Sequence, residues 1–339
     1  MTPSAILQIK RLSFPWITKD PFLFCVHHLD YYPEGNENLG PDASLSGRRI
    51  GNDFAIKDGW RMYHGDTVPG FPAHPHRGFE TVTFVLQGLV DHADSKGASG
   101  RYGFGDVQWM TAGSGLQHSE MFPLLKKDDK NTFELFQIWL NLPASKKFVT
   151  PSYKMLWEDE IPKILVKDKN QKNIKIELAA GKYEGYTAPA PVKDSWAANP
   201  ANEVNIWHIQ LESNAEWEIP VALGDVHRSL YFFEGESLQA ETTSVIPNHV
   251  LELDGKKTIT IKNGNKPSRL LFLQGKPIGE PVQQYGPFVM NNMAEIEEAF
   301  ADFRKTQFGG WPWPRPDMVH GKESIRFARF DNGEEIIKN

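Results

Sequence analysis

Between Phe71 and Phe122 two pairs of candidate metal ligands occur, His74 with His76 and His118 with Glu120, each pair separated by a single residue. That spacing brings both members to one side only on extended backbone, where successive side chains alternate between faces. The stretch is therefore read as β-structure, with each pair forming one half of a clamp.

The flanking apolar residues point the same way. Leu116 and Phe122 share parity with His118 and Glu120, which places the second pair on an inward row. After the first pair, Val82, Phe84 and Leu86 share parity with His74 and His76, so a strand running unbroken through this region carries those histidines inward too. A single histidine on an apolar face is ordinarily a core residue held by a hydrogen bond. Two same-face pairs on separate segments favour a metal ion, because burying four unpaired polar groups is costly and one cation meets them all.

The rest of the chain alternates strand and turn. Candidate strands cover 21–28, 80–87, 106–112, 116–122 and 132–142, with turns at Gly88, 94–100 and 113–115. Further strands are expected at 163–167, 174–178, 204–212, 228–234, 249–253, 258–262 and 269–273, where Asp254-Gly255 and Asn263-Gly264 are tight-turn pairs. Residues 34–58 read as a long surface loop. Many short strands with such turns define an all-β chain of sandwich or barrel type.

A length of 339 residues suffices for two cores. The charged, proline-bearing stretch 143–162 marks the expected crossing, giving a metal-binding domain over 1–150, a second domain over 151–310 and a tail over 311–339. Aligning Thr83–Gly88 with Leu230–Gly235 without gaps sets Val221 and Leu223 where the first half has His74 and His76, so the second half is expected to lack the clamp. One helix is predicted late: Ile296, Phe300 and Phe303 form a stripe, Glu295, Glu297 and Glu298 lie near its start, and Gly309-Gly310 ends it. Trp311-Pro312-Trp313-Pro314 is a stiff apolar segment suited to packing over a surface or meeting a partner.

A net charge of −6 argues against general binding to nucleic acid or anionic membranes. No apolar run reaches the ~18 residues a membrane span requires, and the N-terminal stretch lacks a signal-like run, so a cytoplasmic protein is expected. The lone cysteine, Cys25, excludes an internal disulfide and reads as a buried strand residue.

The run His74-Pro75-His76-Arg77-Gly78-Phe79-Glu80-Thr81-Val82-Thr83, followed by Gly105-Asp106-Val107-Gln108-Trp109-Met110-Thr111-Ala112-Gly113 and then His118-Ser119-Glu120, closely resembles the pirin family of bicupins. The likeness is dense over 68–143 and looser beyond 150. The loop 34–58 and the tail past 310 look like additions to the family pattern. The resemblance implies two tandem antiparallel cupin (jelly-roll) barrels with a C-terminal helix. It also implies one divalent metal, iron above manganese, nickel, copper or zinc, held by His74, His76, His118 and Glu120. A general cupin motif would instead nominate Glu80 as the carboxylate; the pirin pattern favours Glu120 and leaves Glu80 a supporting role behind a ligand histidine. Tyr63, Phe79, Trp109 and Met110 are candidate pocket residues.

Two functions follow from the resemblance. One is a quercetin 2,3-dioxygenase-like enzyme that cleaves flavonols with O2, Glu120 serving as ligand and as the base for the 3-hydroxyl. The other is a non-enzymatic, redox-sensing iron protein that regulates a partner protein. A tandem barrel can close its own interface, so a monomer is expected.

Overall fold

The computed structural model describes residues 4–338. Its first strands are β1 (Ile6–Arg11), β2 (Phe22–Tyr32), β3 (Gly70–His76), β4 (Phe79–Gln87) and β5 (Leu89–Asp94). Next come β6 (Ser99–Gly103), β7 (Val107–Thr111), β8 (Leu116–Met121), β9 (Asn131–Asn141) and β10 (Ser152–Leu156). The second half supplies β11 (Lys163–Lys167), β12 (Asn173–Ala180), the short pair β13 (Lys182–Tyr183) and β14 (Tyr186–Thr187), and β15 (Asn205–Leu211). It continues with β16 (Glu216–Ile219), β17 (His227–Glu234), β18 (Leu238–Ala240), β19 (Thr243–Val245), β20 (His249–Asp254), β21 (Ile259–Asn263) and β22 (Ser268–Gly275). A hairpin, β23 (Gln283–Tyr285) with β24 (Phe288–Met290), leads into helix α1 (Met293–Thr306), and β25 (Arg326–Arg329) and β26 (Glu335–Lys338) end the chain.

These elements form two compact units that interleave along the sequence. Among the described residues, one contains 27–137, 144–158 and 280–338; the other contains 4–26, 138–143 and 159–279. The first unit is built on two sheets, ordered β10-β7-β4-β9-β2 and β26-β25-β6-β5-β8-β3. Tyr102, Met110, Leu116, Phe122 and Phe133 pack in its core. The second is built on β1-β20-β17-β22-β15-β12-β11 and β16-β21-β18-β19, around a core that includes Trp207, Trp217, Ile261 and Phe272.

The strand orders correspond. In both units a central strand, β4 or β17, lies between the partners β7 and β9 or β20 and β22. In the facing sheets β3-β8-β5-β6 is matched by β16-β21-β18-β19. Hence β16 takes the place of β3, and Trp217 and Ile219, both buried in the apolar core, are the inward residues there. Val221 and Leu223, which the gapless alignment equated with the histidines, lie instead in the loop between β16 and β17, because residues 220–226 intervene where only Arg77 and Gly78 separate β3 from β4.

That short β3–β4 connection also corrects the parity argument. The chain leaves one sheet at His76 and enters the other at Phe79, so no unbroken strand links the histidines to Val82 and Phe84. Gly78 permits the switch. Its φ is +85°, and a Cβ there would come within 2.0 Å of the Val289 carbonyl oxygen.

The late helix begins where Asn292 accepts the Glu295 amide, and Glu295 reaches back to the Asn291 amide, a reciprocal cap. It ends before the glycine pair, at Thr306, with Gln307 in the left-handed conformation. Ile296 and Ala299 are buried, and with Phe300 and Phe303 they pack against Phe288 and Met290. The Trp/Pro tail lies on the first unit: the Trp313 indole donates to the Asp94 carbonyl, and β25 extends the sheet by pairing with β6. Cys25 is fully buried, and burial pushes its thiol pKa up. His27 and His28, on opposite faces of β2, bond to Glu134 and Tyr63 respectively.

Candidate metal centre

β3 and β8 run antiparallel with His74 directly opposite His118, and His76 follows two residues along the same face. A register irregularity between Phe71 and His74 sets this alignment. The ring centroids lie 4.5 Å apart for His74 and His118, 4.7 Å for His74 and His76, and 5.0 Å for His76 and His118. One nitrogen from each ring falls within 4.8 Å of the other two.

Hydrogen bonds orient two of the rings. His74 Nδ1 lies 2.9 Å from the Pro72 carbonyl and His76 Nδ1 lies 3.2 Å from the Pro287 carbonyl. A carbonyl only accepts, so each Nδ1 carries the proton and each Nε2 keeps its lone pair for a cation. His118 is wholly buried, and neither of its ring nitrogens has a hydrogen-bond partner.

The electrostatics keep all three rings neutral. Burial lowers the His74 pKa to about 4. Burial first, then repulsion from neighbouring rings, holds His76 and His118 well below the ordinary value. Neutral imidazoles are the ligating form, and the lone-pair nitrogen of buried His118 is the kind of unpartnered polar atom a cation satisfies, so the residues present fit a divalent first-row metal.

Glu120 is on the same face of β8, with its Oε2 3.9 Å from His118 Nε2. The other sheet holds it: the Thr83 hydroxyl lies 3.0 Å from its Oε1, and Gln137 Nε2 donates to its Oε2 at 3.1 Å. Burial raises its pKa, while hydrogen bonds from Thr83, Gln137 and Tyr102 and attraction from His92 counter that rise. Glu80 is fully buried on β4, where its Oε1 accepts from Thr111 at 2.6 Å and from the Trp109 indole at 3.3 Å. Of the candidate pocket residues, Phe79 packs edge-on against His76 at 5.0 Å. Tyr63 and Met110 belong to the first unit's core, and the Tyr63 hydroxyl donates to Asp30.

His92 is the residue that sequence reasoning missed. β5 pairs with the far edge of β8, placing His92 opposite Glu120 and Asp94 opposite His118. The His92 ring is 5.6 Å from that of His118 and its Nε2 is 3.4 Å from Asp94 Oδ2. The signal was available: His92-Ala93-Asp94 is a third pair at spacing two, hidden because 89–93 was assigned to no strand and 94–100 was read as a turn. The tail buttresses this strand, with His320 donating from its backbone to Asp91 Oδ2 and from its ring to the His92 carbonyl.

Two jelly-roll barrels, one with three imidazoles converging on a single point, define a bicupin with a candidate metal site. Family models agree: one described as Pirin matches residues 45–140 and one described as the Pirin C-terminal cupin domain matches 206–309. Over 239 residues the chain is 36% identical to a Pseudomonas aeruginosa protein named "Putative quercetin 2,3-dioxygenase", spanning 70% of this chain and 79% of that one. It is 35% identical to pirin-like protein 2 of Arabidopsis thaliana, with 69% of each chain covered. A quercetin 2,3-dioxygenase structure from Acinetobacter baumannii superposes with a TM-score of 0.67 at 27% identity, covering 90% of this chain and 98% of that one. The chain belongs to the pirin family.

Proposed function

We propose that this chain is a mononuclear metal dioxygenase of the pirin family that cleaves quercetin-type flavonols, with iron held by His74, His76, His118 and Glu120. The observation that carries the reading is His118, buried with both ring nitrogens unpartnered between two oriented neutral histidines. The names borne by the Pseudomonas relative and the Acinetobacter structure support the substrate class.

A bound metal supplies Lewis acidity and a redox partner for dioxygen. The protein's own residues do the rest. The flavonol 3-hydroxyl gives its proton to the Glu120 carboxylate, which Thr83 and Gln137 hold in place. His74, the partly exposed member of the triad, marks the side from which a small molecule arrives, and Phe79 offers an apolar surface beside His76. Iron-loaded protein incubated aerobically with quercetin should bleach the flavonol absorbance and release carbon monoxide. Unchanged absorbance with no carbon monoxide, in protein shown to carry iron, rejects the activity.

A further inference from the structure

The unit without the histidine clamp contains its own chamber. The loop 220–226 and the segment leading into β15 enclose a cavity of about 580 Å3 at the end of the sheet where β12 and β22 finish and β15 and β17 start. That volume is typical of small-molecule sites. Half of its lining residues are alanine or proline, and the exposed apolar side chains of Val221 and Leu223 stand at its rim.

Of the charged residues on the lining, Lys182 is exposed and Glu203 half-buried, and Arg228 is the buried one. Arg228 is only 4% exposed, and its Nε and Nη1 donate to Gln274 Oε1 at 2.8 Å and to the Pro220 carbonyl at 2.9 Å, both neutral acceptors. Burial lowers its pKa to about 10, which leaves it charged at neutral pH. The guanidinium sits 5.5 Å above the Phe272 ring, which in turn stacks on Trp207 at 4.5 Å. Trp207 lines the cavity, and its buried indole N–H has no hydrogen-bond partner. Glu203, the acidic group on the lining, has its two oxygens engaged by the Leu223 and Gly224 amides.

Glu203 and Asp254 attract Arg228 from a distance, but its bonded acceptors are both neutral, and a buried guanidinium so placed gains most from an anion that forms charge-assisted bonds with it. We propose that this cavity binds a small organic monocarboxylate with an apolar body: the carboxylate pairs with Arg228 and the body lies along Trp207 and the alanine-proline wall. One buried guanidinium, with Glu203 also on the lining, matches a single negative charge, which disfavours inorganic phosphate.

The test uses the full chain with 2-naphthoate as probe, and 2-naphthamide and inorganic phosphate as controls, followed by calorimetry and ligand-detected NMR. Naphthoate should bind at least tenfold more tightly than naphthamide, and phosphate should show no binding. Arg228→Gln should remove that preference, and Ala197→Leu, which fills the chamber while keeping the charge, should weaken naphthoate at least tenfold. His118→Ala protein stripped of metal should bind naphthoate as the parent does, separating this site from the metal centre. Equal affinity for acid and amide, unaltered binding in Ala197→Leu, or loss of binding with the metal would overturn the assignment. Melting curves of each variant confirm that it is folded, and if Arg228→Gln is not, Ala197→Leu decides.

Discussion

Replacing His118 with leucine separates metal binding from packing. In metal-free protein both ring nitrogens of His118 are buried without partners. Each unmet buried polar group costs about 1–3 kcal/mol. Taking the lower end for both, because neighbours relax, His118→Leu removes a penalty of about 2 kcal/mol and fills the space with apolar volume. For a unit of this size each kcal/mol moves the melting temperature by roughly 2–4 °C, so the metal-free variant should melt about 4–8 °C above the parent. Metal at a hundredfold excess over its dissociation constant should stabilise the parent by about 2.7 kcal/mol and leave the variant unchanged. Scanning calorimetry in chelator, then with added ferrous or manganous ion, reads both effects. If metal-free His118→Leu melts at or below the parent, His118 is a satisfied core residue and the argument for a cation between the three rings fails.

The two candidate carboxylates are separable by metal titration: Glu80→Gln should weaken affinity less than Glu120→Gln, with the reverse order showing that the wrong carboxylate was chosen. Acidification tests the buried neutral histidines. Above the ordinary value of 6.5 His74 is neutral whether folded or not; below it the unfolded chain takes up a proton that the folded site, with its pKa lowered to about 4, refuses. Metal-free protein should therefore lose stability between pH 6.5 and 4, and urea midpoints of His74→Gln should fall less steeply over that window. Ending the chain after Gly310 strips the Arg101 guanidinium, ion-paired with Asp91, of the Gly321 and Glu323 carbonyls it donates to. At about 1.5–3 kcal/mol for each bond to a charged group, denaturant midpoints should show a loss of about 3–6 kcal/mol.

Much of the barrel was legible because its signals are local. The expected strands at 163–167 and 228–234 appear within a residue as Lys163–Lys167 and His227–Glu234, since alternation and turn residues are properties of a short window. Ser152–Leu156 and Arg326–Arg329 were missed because they are edge or added strands whose character comes from pairing with β7 and β6 rather than from their own pattern.

The residue order alone determined that His74 and His76, and likewise His118 and Glu120, share a face, since alternation along extended backbone depends on nothing distant. The residues supporting those pairs depended on folding. Register between β3 and β8 set His74 opposite His118, β5 brought up His92, and the facing sheet supplied Thr83 and Gln137. The chamber around Arg228 likewise exists only because a loop and the ends of four strands close over that side chain. Hydrogen-bond register and the burial of a charge are long-range outcomes, decided when remote segments compete for the same core, and a local pattern of side chains does not encode them.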